Sequence, residues 1–269
     1  MRISIDHKTR YHFSEPQARV VQLLRVTPQD SIDQTVVDWH IGVDCDARLR
    51  RARDGFGNIV TTLYAEGPLD GLAIDVQGEV LTAGEAGIVH GAQEPLPPAL
   101  YRRVTTRTEG SPELLAFAAE ATARDAPLLD RLHQLNGLIH QRFDRVAAHH
   151  DDGRGAAEVF PGWSASARDL AHILIAAARA AGVPARYVSG YRRDGAHQPA
   201  PHAWAEAHVD GLGWIAFDPA HGICADPNYV RVAVALDATG AAPVAGSRLG
   251  QGEERLMVDV QVAAMGGDA

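Results

Sequence analysis

The chain has little cysteine and no long apolar run. Only Cys45 and Cys224 occur in 269 residues, which excludes a disulfide framework and zinc sites built from cysteine pairs. The longest apolar run lies within 170–183, where His172 and Arg179 interrupt it. Because a bilayer-spanning helix needs about 20 apolar residues, this run is too short to cross a membrane.

Targeting and nucleotide-binding signals are also missing. The first residues, MRISIDHKTRYHF, lack the apolar core of a signal peptide, so we expect a cytoplasmic location. The sequence contains no phosphate-binding loop and no GxGxxG run, and we expect neither a cofactor nor a metal. A formal net charge of -9 argues against nucleic acid or an anionic membrane as partner.

The composition is otherwise that of an ordinary globular protein. Hydrophobic residues make up 46% and charged residues 22% of the chain. Since 269 residues are long for one domain, we expect two.

The first third of the sequence predicts β-structure. Short runs with partial alternation and β-branched residues, such as QTVVDWHIGVD and NIVTTLYAEG, are separated by turn signals including Asp54-Gly55 and Gly57-Asn58. Several strands at this spacing indicate an antiparallel β-sandwich, which we assign to residues 1–92. The proline-rich segment 91-GAQEPLPPAL-100 begins a predicted linker over 93–110.

Residues 111–269 predict an α+β domain. Ser111 followed by Pro112 is a helix start, because serine caps a helix and proline is favoured at its first position. Apolar spacing predicts two further helices, and short β-rich runs predict the strands that follow. The helices are expected at 127–143 and 167–181, and the strands at 185–191, 203–209, 214–218 and 255–262. The polar run His149–Asp152 is interpreted as a solvated loop, since consecutive residues rarely converge on one metal ion.

Four motifs then follow one another in a fixed order. They are the helix start 167-ARDLAH-172, the run 182-GVPARYVSGY-191, 202-HAWAE-206 and 211-GLGWIAFDP-219. In this order they resemble the core of bacterial transglutaminase-like proteins, a papain-like superfamily that includes cysteine proteases. The β-rich first part is similar to the N-terminal domain that accompanies this core in bacteria. The resemblance therefore implies an N-terminal antiparallel β-sandwich followed by a papain-like α+β core.

The resemblance also implies a catalytic triad, of which one member is missing. In such proteins a cysteine at a helix N-terminus attacks an amide carbonyl, a histidine shuttles the proton and a carboxylate orients the histidine. His202 matches the histidine and Asp218 the carboxylate, whereas Ala167 occupies the place of the cysteine. Ala165 likewise replaces the glycine two residues earlier. A methyl group cannot attack a carbonyl, so the ordinary cysteine mechanism is excluded.

Other side chains could substitute for the missing thiol. Ser166 and Ser164 precede Ala167, and each is either a helix-capping residue or a replacement nucleophile. Cys224 follows Asp218 by six residues and is either near the cleft or an unrelated thiol, while Cys45 is expected to be structural.

Two functional hypotheses follow from these residues. In the first, the chain is a pseudoenzyme that keeps the transglutaminase-like cleft and binds a peptide or protein there. In the second, it is an amide hydrolase or acyltransferase with Ser166 (or Ser164) as nucleophile, His202 as base and Asp218 as orienting group. His202 and Asp218 also allow a purely structural interpretation, as a buried hydrogen-bonded pair.

Overall fold

A computed structural model describes residues 1–84, 87–123, 125–147, 153–194 and 198–265. The predicted polar loop His149–Asp152 lies outside these residues. The strands of the described part are β1 (Arg2–Leu24), β2 (Gln34–Val43), β3 (Ala47–Arg53), β4 (Ile59–Thr82), β5 (Asp144–Arg145), β6 (Ser164–Ala165), β7 (Ala185–Arg192), β8 (His202–Val209), β9 (Gly213–Asp218), β10 (Ile223–Cys224), β11 (Tyr229–Ala235), β12 (Val244–Leu249) and β13 (Glu254–Ala264). The α-helices are α1 (Pro112–Thr122), α2 (Leu128–Arg142), α3 (Ala156–Val159) and α4 (Ala167–Ala180).

The first sheet is built on two long antiparallel strands, β1 and β4. Its strand order is β12-β1-β4-β2, with β13 also pairing with β1 and β3 with β4. The pairing of β1 with β4 shifts register between His12 and Gln17. Tyr11 before this shift and Val20 after it share one apolar core. The β-rich first part of the chain thus belongs to one six-stranded antiparallel sheet, whose two long strands contribute to that core on both sides of the register shift.

The end of the chain returns to this first sheet. β12 and β13 both run antiparallel to β1, so Val244–Ala264 belongs to the first sheet rather than to the predicted 111–269 core. The strand expected at 255–262 lies within β13. Its partner is β1, at the opposite end of the chain. The alternation of apolar and polar residues within a strand does not indicate which distant strand it pairs with.

The second sheet carries the α+β core that the sequence predicts. Its strand order is β10-β9-β8-β7-β11, with every pair antiparallel. α4 packs on β7 and β8 and is buried over most of its length. The helix ends at Gly182, whose φ of 78° suits a residue without a side chain. The α+β class is confirmed.

The predicted linker is packed rather than free. It contains two short 3-10 helices, Pro98–Arg102 and Thr106–Thr108. The buried guanidinium of Arg179 donates to the Tyr101 carbonyl and to the Thr108 hydroxyl, at 2.8 and 2.6 Å. These contacts fix the connection against α4, so the division into domains is less sharp than composition suggests.

Side-chain amides join the two sheets at the edge strand β11. Gln34 donates to the Arg231 carbonyl at 2.8 Å and accepts from the Arg231 N–H at 2.9 Å. Asn58 makes the same two bonds with Val234, at 2.7 and 2.8 Å. Each carboxamide thus takes the place of a paired residue of a neighbouring strand.

A buried ion network joins β7, β8 and β11 of the second sheet. Glu206, on β8, accepts from Arg186 at 2.6 Å and from Arg231 at 2.7 Å. Arg186 is fully buried, also pairs with Glu94 and lies 3.8 Å from the centre of the Trp214 ring. The carboxylate and both guanidinium groups therefore satisfy one another within the core.

Candidate active-site cleft

The predicted pair His202 and Asp218 is formed at the ends of two adjacent strands. His202 begins β8 and Asp218 ends β9, which runs antiparallel to β8. The Nε2 atom of His202 lies 2.7 Å from the Asp218 Oδ2 atom, and both side chains are buried. The second and third members of the implied triad are therefore in hydrogen-bonding contact.

Asp218 accepts more hydrogen bonds than the triad alone requires. His221 Nδ1 lies 2.7 Å from Oδ2, and the Tyr229 hydroxyl donates to the same oxygen at 2.6 Å. The N–H of Ala220 donates to Oδ1 at 2.9 Å. Burial alone would raise the pKa of the Asp218 carboxyl, but the charge and hydrogen bond of His202, with those of His221, hold that pKa well below its usual range.

The ionised Asp218 determines which proton His202 carries. A carboxylate only accepts hydrogen bonds, so Nε2 of His202 is the donor. Among the described residues the other ring nitrogen, Nδ1, has no hydrogen-bond partner. In the neutral ring this nitrogen is an acceptor, and it is the atom that could take a proton from a bound group.

His202 borders a large cavity together with Ala167. The cavity has a volume of about 530 Å³, within the range typical of ligand sites. It lies between the α+β core and the first sheet, whose strand β1 contributes part of the wall. The lining includes His7, Thr9, Tyr11, Gln22, Ala167, Arg168, Ser189, His202, Ala238, Ala241, Pro243 and Arg248.

Ala167 is the first residue of α4, where the positive end of the helix dipole lies. A thiol at this position would have its thiolate favoured by that dipole, and His202 lines the same cavity. The methyl group that is present contributes surface to the cavity but no nucleophile.

Comparison with known proteins agrees with this arrangement. The family model "Transglutaminase-like superfamily" matches residues 115–219, and "Bacterial transglutaminase-like N-terminal region" matches residues 3–81. The chain therefore combines a bacterial transglutaminase-like N-terminal region with a transglutaminase-like core.

Two similar sequences come from mycobacteria. The uncharacterized protein ML0607 of Mycobacterium leprae is 26% identical over 98% of this chain and 99% of its own length. The uncharacterized protein Rv2569c of Mycobacterium tuberculosis is 26% identical over 100% of this chain and 94% of its own length.

A solved structure has a similar fold. The crystal structure named "Putative Cysteine Protease from Cytophaga hutchinsonii" superimposes with a TM-score of 0.79 at 19% identity, covering 100% of this chain and 92% of that one. At this identity the likeness concerns the fold.

In this transglutaminase-like chain, Ser166 caps the helix. Its hydroxyl donates to the Asp169 Oδ2 atom at 2.7 Å and accepts from the Asp169 N–H at 3.3 Å. The Asp169 carboxylate in turn accepts from the Ser166 N–H, which completes a capping box. Ser164 is exposed on β6, and neither serine lines the cavity that Ala167 shares with His202.

The Ser166→Ala substitution tests this capping role. Because the change removes the cap of α4, we expect the free energy of unfolding to fall by about 1 kcal/mol. Ser164→Ala, at an exposed position, should change it by less than about 0.5 kcal/mol. Urea unfolding monitored by circular dichroism measures both. Equal losses for the two variants would contradict the capping assignment.

Neither cysteine replaces the missing nucleophile. Burial raises the pKa of the Cys224 thiol to about 11, its Sγ lies 3.9 Å from His133 Nδ1, and Cys224 does not line the cavity that His202 borders. Burial and the neighbouring Asp44 and Asp46 raise the pKa of Cys45, which belongs to the first sheet region. Both thiols are therefore mainly protonated at neutral pH.

Sequence reasoning missed His221 and Tyr229. With His202 and Asp218, His221 places three ligand-type atoms within 4.8 Å of one another. However, the Arg145 guanidinium donates to His221 Nε2 at 2.8 Å, which places the proton of the neutral ring on Nδ1 and directs it to Asp218. A metal would need that nitrogen deprotonated, so the cluster suits hydrogen bonding better than metal binding. The position of His221, three residues after Asp218, could have indicated its contact with that carboxylate. No local sequence pattern indicates the contact of Tyr229 with Asp218.

A second buried histidine, His7, lies in the cavity wall. Its Nδ1 is 2.9 Å from the Tyr191 hydroxyl and its Nε2 is 3.1 Å from the Thr9 hydroxyl. Burial lowers the pKa of His7 to about 4, so the ring is neutral at pH 7.

The lowered pKa of His7 predicts an acid-sensitive fold. The unfolded chain binds a proton at His7 below its ordinary pKa of 6.5, whereas the folded protein does so only near 4. The contribution of neutral His7 to the free energy of unfolding is complete above about pH 6.5 and is lost as the pH falls towards 4. Between pH 7 and pH 5 we expect the free energy of unfolding to fall by about 2 kcal/mol for this reason.

Two variants test this dependence on pH. His7→Gln should reduce the dependence, whereas His12→Gln, at an exposed position of the same strand, should preserve it. Urea unfolding at both pH values measures the difference, and identical slopes for all three proteins would contradict the assignment.

Proposed function

We propose that this chain is a non-catalytic member of the transglutaminase-like superfamily that binds an extended peptide or protein segment in the cavity beside Ala167. The observation that carries the proposal is the combination of an open cavity of about 530 Å³ with a methyl group at the position of the family nucleophile. The cavity is large enough for a ligand, but the Ala167 side chain that lines it offers no nucleophilic atom.

The remaining groups are suited to hold a ligand. His202 has a hydrogen-bonded, ionised partner in Asp218 and, when its ring is neutral, presents Nδ1 as an acceptor. Such an acceptor can bind an N–H or O–H of a ligand without any covalent step. In the absence of a thiol, the histidine has no group of its own chain at position 167 from which to take a proton.

The retained His202 and Asp218 also support a serine-dependent amide hydrolase or acyltransferase as the alternative. For this activity the hydroxyl of Ser166 would have to leave Asp169, which it both donates to and accepts from, and reach His202. Loss of those bonds would uncap α4. The non-catalytic function requires no such rearrangement, and we favour it for that reason.

Selection of peptides on the immobilised protein tests the proposal. We expect random-peptide phage display to yield sequences that bind the wild type and are recovered uncleaved by mass spectrometry. Ala167→Phe, which fills the cavity beside the helix start, should weaken their binding by at least about tenfold. Ala119→Phe, at an exposed position of α1, is the matched control and should bind as the wild type does.

Two outcomes would overturn the binding function. The first is cleavage of peptides that disappears in His202→Ala, together with a fluorophosphonate adduct at Ser166 or Ser164, which would establish the serine enzyme. The second is binding that Ala167→Phe leaves unchanged, which would place the peptide elsewhere on the molecule.

A further inference from the structure

Strand β3 carries a cluster of positive charge without a countercharge. Four of its seven residues are exposed arginines, namely Arg48, Arg50, Arg51 and Arg53. Within the described part of the chain none of the four forms an ion pair, although the whole chain has a net charge of -9. Arg53 donates to the neutral Gln29 side chain and, at 2.7 Å, to the Gly57 carbonyl. The cluster is therefore open to an anionic partner from outside the chain.

Acidic residues that flank β3 are engaged elsewhere. Asp54 pairs with Arg25 at 3.1 Å, and the Asp44 carboxylate accepts from the Ala73 N–H at 2.7 Å. The residues of β4 that pair with β3 include no carboxylate. Since like charges along one strand repel one another, an anion bound beside them would stabilise the arrangement.

The outer edge of β3 has unpaired main-chain groups. Among the described strands β3 pairs with β4 alone. At the hairpin end of this pairing the Asp54 N–H donates to the Asn58 carbonyl at 3.1 Å. Hydrogen-bonded and non-hydrogen-bonded pairs alternate along an antiparallel ladder, so the main-chain N–H and C=O groups of Leu49, Arg51 and Arg53 face away from β4. An extended segment can pair with these groups as one more strand.

A groove adjoins one face of the same strand. It has a volume of about 550 Å³, and Arg51 and Arg53 line it together with the apolar side chains of Leu49 and Trp39. Asp30 is the one acidic residue in the lining, and its carboxylate already accepts a main-chain N–H of β2 at 2.7 Å. Side chains alternate between the faces of a strand, so the other two arginines lie on the opposite face. An added strand would thus meet positive charge on both faces.

The charge on β3 selects which strand can add to it. Charged side chains on an edge strand commonly keep other strands away. For an uncharged or basic strand this holds here, because its approach would remove water from the arginines without supplying a countercharge. An acidic strand supplies that countercharge through cross-strand pairs. The same residues therefore exclude most segments and attract one class.

We propose that β3 is a docking strand for an extended acidic segment of a partner protein. The segment adds to the first sheet through main-chain hydrogen bonds to Leu49 and Arg51, and its carboxylates lie against the arginines on both faces. The groove beside β3 shares no lining residue with the cavity beside Ala167, so this is a second binding site, independent of the proposed function.

The test uses a synthetic probe, the rhodamine-labelled peptide ETEEVET with an amidated C-terminus. In an antiparallel register its four glutamates lie opposite the four arginines and its valine lies opposite Leu49. We expect fluorescence polarisation to show binding to the full chain at about 50 mM salt, where exposed charges are only partly screened. The matched peptide QTQQVQT should bind at least about tenfold more weakly, because it lacks all four carboxylates. Equal binding of the two peptides would overturn the inference.

Variants of the protein locate the probe. The double variant Arg50→Gln, Arg51→Gln should bind it at least about fivefold more weakly. The double variant Arg10→Gln, Arg255→Gln removes the same charge from exposed positions elsewhere in the first sheet and should bind as the wild type does. Equal losses in the two double variants would show that only the overall charge matters, which would contradict a site on β3.

N-methylated probes separate strand addition from general attraction of an anion. Methylation of the third and fifth residues blocks the N–H groups that face β3 in this register and should abolish binding, whereas methylation of the second and fourth blocks N–H groups that face away. If both methylated probes bind alike, or a single-stranded oligonucleotide of equal charge displaces the probe as well as the unlabelled peptide does, β3 is a general polyanion surface and the inference is wrong.

The cavity variant keeps the two proposals apart. Ala167→Phe should leave the affinity for the acidic probe unchanged, since position 167 does not line the groove beside β3. Weaker binding in that variant would place the probe in the cavity and overturn the docking strand. Failure of the acidic probe on β3 leaves the peptide-binding function of the cavity as it was.

Discussion

Replacing Ala167 with cysteine is expected to create a thiol that reacts with iodoacetamide at pH 6 at least about a hundredfold faster than Cys224. The new side chain would stand at the N-terminus of α4 and line the cavity with His202. The helix dipole and His202 both favour the thiolate there, whereas burial raises the pKa of Cys224 to about 11. Mass spectrometry of the alkylated peptides measures the two rates in one sample.

The control for this experiment removes the histidine. In the double variant Ala167→Cys, His202→Ala the reactivity of the new thiol should fall by about tenfold, because only the helix dipole remains to favour the thiolate. Equal reactivity with and without His202 would show that the imidazole does not reach a thiol at position 167. In that case the retained pair would be a structural one.

Replacing Glu206 with glutamine is expected to lower the free energy of unfolding by about 3 to 5 kcal/mol. Burial alone would raise the pKa of this carboxyl, but Arg231 and Arg186 lower it to about 2, so the group is charged at neutral pH. Its removal leaves the fully buried Arg186 without its Glu206 partner, and one buried positive charge of the network becomes uncompensated. Urea unfolding at pH 7 measures the loss.

A surface ion pair provides the matched control. Glu79→Gln removes the half-buried partner of the exposed Arg2 and should change the free energy of unfolding by less than about 1 kcal/mol. If Glu79→Gln and Glu206→Gln lower the free energy of unfolding by similar amounts, burial of the Glu206 network would not be the cause of its contribution to stability.

Much of the cleft could be predicted because its residues belong to local motifs. His202 and Asp218 lie at the ends of two strands joined by a short turn, and the turn sequence Asp210-Gly211 is visible in the chain. The capping role of Ser166 was one of the two alternatives that local chemistry offered, since a serine before a helix can accept from its free N–H groups or act as a nucleophile. The helices and strands of the core agree with their expected positions within a few residues.

The remaining wall of the cavity depends on pairings between distant parts of the chain. Gln22 meets Gly246 only because β12 returns to β1, and neither residue carries a local signal of that contact. Tyr229 reaches Asp218 because β11 pairs with β7, not because of any motif near either residue. Among the residues that the structure describes, no helix is long and apolar enough to cross a bilayer.

The two carboxamides on β11 also limit how a peptide can bind. Exposed edge strands commonly capture a peptide as one more strand of the sheet. On β11 the main-chain groups of Arg231 and Val234 that such a peptide would need are already bonded to Gln34 and Asn58. Strand addition at this edge would first require these four bonds to break. The peptide of the proposed binding function would therefore have to bind in the cleft rather than add to this edge.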